Sequence, residues 1–132
     1  LYCLPLVKFE ADKQALLDAV TTTNNTKFFA GTDSAPHTTK ATACGCAAGC
    51  FTGLIAPQLY ATALDLNENN KDMFERFLCL NGPEFYNLPK ATGVFTLEKK
   101  PFPVSLLKTV QGDVTPLPLG LGMDEIEWTL SL

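Results

Sequence analysis

The chain has 132 residues and a mass of 14.3 kDa, and 46% of its residues are hydrophobic, which suits one domain with a buried core and excludes a disordered chain. A net charge of −4 gives no electrostatic reason to expect nucleic-acid binding, and no apolar run approaches the roughly 20 residues that cross a bilayer. Five cysteines without framework spacing argue against a secreted disulfide scaffold. We therefore expect a soluble protein from a reducing compartment, without nucleic-acid or membrane partners.

The first thirty residues predict a strand, a helix and a second strand. The apolar run at residues 2–7 is typical of a short buried strand, and Pro5 marks its end or a bulge because proline cannot donate to a sheet ladder. Residues 10–22 combine an apolar face at helical spacing with good helix formers. Residues 27–31 form a second short apolar run of the kind found in buried parallel strands. Together these segments predict a βαβ unit and an α/β fold.

A small-residue loop and three further helical segments follow. Residues 32–48 are rich in Ser, Thr, Gly, Ala and Pro, which indicates a loop. A second helix is predicted from about Gly49, with a kink at Pro57.

The third helix has start and stop signals of its own. Asn69 or Asn70 can cap its beginning, and the Asn81-Gly82 pair predicts its end. Pro83 then favours one more helical turn.

The composition of the sequence changes near residue 90. The remainder is rich in proline and short β-like segments, and Ile126, Trp128, Leu130 and Leu132 alternate at the period of a strand. We therefore divide the chain into residues 1–89, which carry the α/β elements, and residues 90–132, a tail that packs on them.

Asp33 and His37 are the candidate site residues, because they follow the second predicted strand. Ligands of α/β proteins bind at the carboxyl ends of strands, where a carboxylate can bind a metal or move a proton. An imidazole there can donate a hydrogen bond to an anion. The Asp-x-x-x-His spacing is weakly specific, so the alternative of a turn-capping aspartate and an ordinary loop histidine stays open.

The cysteines of "CGCAAGC" permit a metal interpretation as well. A structural zinc site needs four ligands, usually in C-x(2–4)-C pairs, whereas Cys44 and Cys46 form a C-x-C pair. With Cys50 as the third ligand, the fourth would have to be His37, Cys3 or Cys79. Small buried thiols are the favoured interpretation.

Four motifs in order carry a family resemblance: "YCLPLVK", "GTDSAPH", "CGCAAGCF" and "NGPEFYNLP". Together they resemble the carboxyl-terminal third of the single-function dihydroorotases of bacteria and plants. The resemblance implies the last two βα units of a (β/α)8 amidohydrolase barrel with two zinc ions. It also implies a cytoplasmic enzyme of pyrimidine biosynthesis, commonly a homodimer, that interconverts N-carbamoyl-L-aspartate and L-dihydroorotate.

The same resemblance implies roles for individual residues. Asp33 would be a zinc ligand that also carries a proton to the amide nitrogen, and His37 would contact the carboxylate of the small-molecule substrate. Leu4 and Ala48 would bind the substrate through their backbones. "CGCAAG" has one alanine more than the family pattern, so Ala47 competes with Ala48 for this role.

One histidine cannot complete a two-zinc site. The resemblance implies that this chain supplies one of the zinc ligands. The resemblance therefore implies a missing amino-terminal barrel portion and an inactive isolated chain. Two alternatives remain open: a non-catalytic structural or interaction subunit derived from a dihydroorotase fragment, and a small thiolate-metal protein.

Overall fold

The computed structural model describes residues 7–22, 24–42 and 45–132, with a mainly helical first part and a tail of short strands. The helices are α1 Glu10–Thr21, α2 Ala56–Ala63, α3 Lys71–Glu75, α4 Asn81–Phe85 and α5 Leu117–Gly120. A 3-10 turn, Gly53–Ile55, precedes α2, and a π-helical segment, Arg76–Leu80, joins α3 to α4. The strands are β1 Ala41–Thr42, β2 Gly45–Cys46, β3 Thr96–Glu98, β4 Phe102–Pro103, β5 Leu107–Thr109, β6 Gly112–Val114, β7 Glu125–Ile126 and β8 Thr129–Ser131. None of the helices in these ranges has the length and hydropathy needed to cross a membrane.

The first predicted helix is confirmed, whereas the strands predicted on either side of it are not observed. Helix α1 packs Leu17 and Val20 against the main core. The predicted strand at residues 2–7 lies outside the described residues except for Val7, which is in no strand. Residues 27–31 pair with no strand in the described part of the chain. The N–H groups of Lys27 and Phe28 donate to the Asn25 side chain, and the backbone of residues 30 and 31 bonds to residues of the later helices.

Helix α2 starts later than predicted, and Pro57 does not kink it. Pro57 lies in the first turn of α2. Amide groups of a first turn have no acceptor within the helix, so the missing N–H of proline costs nothing there.

The pair Asn81-Gly82 does not end the third helix, so that prediction was wrong. Helical backbone continues from Lys71 through the π-helical segment to Phe85. Asn81 is only 1% exposed, and its side-chain amide donates to the carbonyls of Asn25 and Phe28 at 3.0 and 2.9 Å. A Cβ at position 82 would lie 3.3 Å from the Phe29 ring, so glycine serves close packing there rather than a turn.

Replacing Asn81 by alanine should lower the free energy of unfolding by about 2 kcal/mol, because two partly buried carbonyls lose their donor. The midpoint of urea unfolding, followed by circular dichroism, measures the loss. Asn69→Ala is the matched control, since Asn69 is exposed and its side chain makes no hydrogen bond within the described residues. Equal midpoints for the two variants would contradict the anchoring role of Asn81.

The tail folds back on itself as a nested set of antiparallel pairs. Strand β5 pairs with β6, β4 with β7, and β3 with β8. Each pair spans only two or three residues, and Pro103 in β4 has no N–H to donate to its ladder. The nesting brings Leu97 and Leu130 opposite each other near the helices.

Two hydrophobic clusters hold the helices and the tail together. The main cluster contains Trp128 from the tail and four buried residues from the helical part: Ala61, Leu64, Phe74 and Phe77. The second cluster contains Ile55 from the 3-10 turn with Val104 and Ile126 from the tail. Both clusters therefore combine side chains from before and after residue 90.

Candidate functional site

The backbone that leads to Asp33 is fixed by hydrogen bonds to helical residues. The Ala30 N–H donates to the Phe77 carbonyl at 2.9 Å, and the Tyr60 hydroxyl donates to the Gly31 carbonyl at 3.1 Å. Burial raises the pKa of Tyr60 more than the bond to Gly31 lowers it, so the hydroxyl remains a donor at neutral pH.

The backbone that follows this aspartate is fixed to the start of the next helical segment. The Ser34 hydroxyl accepts hydrogen bonds from the N–H groups of Thr52 and Gly53 at 3.1 and 2.9 Å. The Ala35 N–H donates to the Cys50 carbonyl at 2.9 Å. The peptide that carries Asp33 is thus held on both sides.

Asp33 itself has an unusual backbone conformation and an exposed side chain. Its φ of 43° lies in the left-handed region, which costs energy for a residue with a Cβ. Among the described residues, three other non-glycine residues share this conformation, and each follows a helix end: Asn24, Asp65 and Asn87. Asp33 follows no helix, so helix termination does not explain its conformation.

Lys40 closes the loop that follows. Its ammonium group donates to the carbonyls of Ala35 and Gly49 at 3.2 and 2.8 Å, and it makes a longer contact of 3.5 Å with the carbonyl of Ala48. Within this loop, β1 and β2 form a small antiparallel pair. The predicted loop is therefore closed by its own hydrogen bonds.

Gly49 is required where the two ends of this loop meet. Its φ is +83°, and a Cβ at this position would lie 2.6 Å from the Cβ of Ala35. Glycine alone permits both the conformation and the close approach.

The other predicted site residues differ in how well the structure places them. His37 is exposed, and no hydrogen bond or ion pair joins it to Asp33 among the described residues. Leu4 lies outside the described ranges. Ala48 is exposed, and its N–H donates no hydrogen bond within the described part of the chain. Ala47 is half-buried, and its N–H donates to the Lys40 carbonyl at 2.8 Å. Of the two alanines, only Ala48 therefore has an N–H available to a ligand.

The described residues can contribute to a metal site but cannot complete one. No group of three or more His, Cys, Asp or Glu side chains that could hold a metal occurs within them. Asp33 fits the role of a single ligand, because its exposed carboxylate has no hydrogen bond or ion pair to the rest of the described chain.

The proposed thiolate cluster receives no support from the described cysteines. Cys3 and Cys44 lie outside the described ranges, and Cys50 and Cys79 are free thiols. Burial, followed by the nearby charge of Glu75, raises the pKa of Cys79 and so disfavours the thiolate that zinc binds.

Comparison with known proteins shows which proteins this chain is similar to. No family model matches the chain. The sequence is 44% identical over 129 residues to the dihydroorotase of Cupriavidus pinatubonensis, which covers 96% of this chain and 36% of that enzyme. It is 45% identical over 133 residues to the dihydroorotase of Pseudomonas fluorescens, with 98% and 36% covered. This chain is homologous to the dihydroorotases.

Solved structures of dihydroorotases have the same fold over this region. The Campylobacter jejuni enzyme superposes with a TM-score of 0.77 at 28% identity and covers 100% of this chain and 37% of its own. The Saccharomyces cerevisiae enzyme in complex with 5-fluoroorotic acid gives 0.79 at 26% identity, with 98% and 36% covered. The predicted resemblance to the carboxyl-terminal third of dihydroorotases is confirmed, and the chain spans about a third of the length of these relatives.

Two residues of this dihydroorotase-like loop were missed from the sequence. Lys40 and Ser34 hold the loop, yet neither belongs to a pattern of metal ligands or proton carriers. The available signal for Lys40 was its position, since it is the one charged residue between His37 and Gly53.

Proposed function

We propose that this chain is the carboxyl-terminal part of a dihydroorotase and contributes one wall of its active site. The observation that carries this proposal is the 44% identity to a dihydroorotase over 96% of the chain. The assembled enzyme would be a (β/α)8 barrel of the amidohydrolase type. It would interconvert N-carbamoyl-L-aspartate and L-dihydroorotate for cytoplasmic pyrimidine biosynthesis, as a homodimer.

In this proposal Asp33 holds one of two zinc ions and carries a proton to the amide nitrogen of the substrate. Zinc, when bound, supplies Lewis-acid activation of water and of the amide carbonyl. An exposed, unpaired carboxylate on a backbone fixed from both sides supports this role, because it can reach a ligand without moving its main chain. The left-handed conformation of Asp33 supports it too, since backbone strain concentrates at functional sites.

His37 and Ala48 are proposed to bind the substrate, together with Leu4. The His37 imidazole would donate to the substrate carboxylate. The N–H of Ala48, which the described chain leaves unused, would donate to the substrate, and this favours Ala48 over Ala47. Ala48 therefore remains the assignment that we propose.

A preceding barrel portion would supply the other zinc ligands and cover an apolar surface. Large hydrophobic side chains near the ends of α1 and α4 are 60–84% exposed: Val7, Phe9, Phe85, Tyr86 and Leu88. The rings of Phe85 and Tyr86 lie against each other, with centroids 4.9 Å apart, and exposed apolar groups of this kind often mark a contact with another part of a protein. This surface supports a larger fold in the working enzyme.

A chimeric enzyme tests the proposal. This chain replaces the aligned segment of the Pseudomonas fluorescens dihydroorotase, and hydrolysis of L-dihydroorotate is measured with zinc present. We expect turnover by the chimera and none by the isolated chain. A folded chimera that retains its other zinc ligands but shows no turnover would favour the alternative, a non-catalytic subunit derived from a dihydroorotase fragment.

A further inference from the structure

The ammonium group of Lys40 is committed to the backbone of its own loop. An ammonium group has three N–H donors, and three carbonyls, those of Ala35, Ala48 and Gly49, lie within 3.5 Å of the Lys40 nitrogen. No carboxylate forms an ion pair with it among the described residues. Its charge is therefore balanced by carbonyl dipoles, which makes these bonds stronger than neutral ones.

These three carbonyls come from both ends of the loop. Ala35 lies two residues after Asp33, and Gly49 lies directly after Ala48. Lys40 thus links the segment of the proposed metal ligand to the segment of the proposed substrate-binding backbone. Ala47, whose N–H donates to the Lys40 carbonyl, ties the main chain at the same place.

The tail supports the loop from its other side. Phe51 and Pro116 form a parallel bridge, and the Leu117 N–H donates to the Phe51 carbonyl at 2.8 Å. A Cβ at Gly112 would lie 3.6 Å from Thr38, so the β5–β6 turn also lies close to the loop. A cavity of about 240 Å³ between the loop and the tail is lined by Lys40 and Cys50 from the loop and by Pro116 and Leu117 from the tail.

We propose that Lys40 is a positioning residue that fixes the backbone of Ala48 for substrate binding. This inference rests on the proposed function, because Ala48 matters only if the chain forms part of a substrate site. The link by which Lys40 holds the loop closed can be tested by a measurement that does not depend on enzymatic activity.

The first measurement is hydrogen exchange in the 132-residue chain. In Lys40→Met, the amides of Ala35 and Ala47 should exchange about tenfold faster or more, because the charge-assisted bonds that close the loop are lost. Lys90→Met is the matched control, since Lys90 is exposed and makes no bond within the described residues. Unchanged exchange at both amides, with α2 to α4 still protected, would overturn the proposal.

A second variant, Lys40→Arg, keeps the proposal testable if Lys40→Met unfolds the whole chain. Lys40→Arg keeps the charge but spreads its donors in a plane, so it should hold the three carbonyls less well. We expect loop exchange between that of the native chain and that of Lys40→Met. If Lys40→Met loses protection throughout, Lys40→Arg decides: faster exchange confined to the loop supports the link, and native exchange rates overturn it.

The second measurement is steady-state kinetics of the chimera with L-dihydroorotate. Lys40→Met should raise KM about tenfold with a smaller change in kcat, because substrate binding is lost more than chemistry. Faster loop exchange with an unchanged KM would overturn positioning and leave Lys40 a structural link. An inactive native chimera would count against the proposed function and the role of Ala48, while the exchange result would still decide the link.

Discussion

Asp33→Asn in the chimera should lower kcat for L-dihydroorotate hydrolysis by about a hundredfold to ten-thousandfold, the range associated with loss of a proton carrier. Asparagine has nearly the shape of aspartate, but it is neutral, binds zinc poorly and accepts no proton at neutral pH. Asparagine also tolerates the left-handed φ of 43° observed at this position, so the backbone is preserved. Steady-state kinetics together with zinc content by elemental analysis measure both proposed roles.

Asp65→Asn is the matched control for this change. Asp65 follows α2, has an exposed side chain and has a φ of 47°. The substitution therefore removes the same charge from a residue of the same backbone conformation outside the proposed site. We expect native kcat and KM. Near-native turnover of Asp33→Asn would refute the assignment of Asp33 as ligand and proton carrier.

Trp128→Ala should lower the free energy of unfolding of the chain by about 4 kcal/mol, the cost of emptying a large aromatic site in a core. Trp128 is 7% exposed and packs in the main cluster with Phe74 and Phe77, although it belongs to the tail. The ammonium group of Lys99 lies 5.9 Å from the centre of its ring, which adds a smaller contribution.

Urea unfolding followed by circular dichroism measures this loss, since Trp128 is the only tryptophan and fluorescence would disappear with it. Leu132→Ala is the control, because Leu132 is fully exposed and should leave the midpoint unchanged. A single transition at lower urea would mean that the tail and the helices unfold together. A native midpoint for Trp128→Ala would mean that residues 90–132 fold apart from the helical core.

The sequence predicted the helices better than it predicted their ends. The apolar face of α1 has a clear helical period, so its bounds agree with the structure to one residue at the carboxyl end. Asn81 and Gly82 are residue types that often end a helix. Here the Asn81 side chain donates hydrogen bonds to the carbonyls of residues 25 and 28, and Gly82 packs closely against Phe29. Local propensity therefore gave the wrong end, because a tertiary hydrogen bond outweighed it.

The candidate site was predicted through its motif and not through its geometry. "GTDSAPH" pointed to Asp33 and His37, and the comparisons confirm the resemblance to dihydroorotases that this motif helped to predict. The left-handed conformation of Asp33 and the closure of the loop by Lys40 depend on contacts among separate segments. Such contacts have no local sequence pattern.

The sequence by itself determined the relationship to dihydroorotases, the main helices and the identity of the candidate residues, because these depend on residue types in order. Only the tertiary structure decided that Ser34 and Tyr60 hold the backbone around Asp33, that Lys40 closes the loop, and that Trp128 brings the tail into the core. These outcomes depend on which partner each polar or apolar group finds when the chain is compact. Burial requires such partners, and only the folded chain determines which distant residue provides each one.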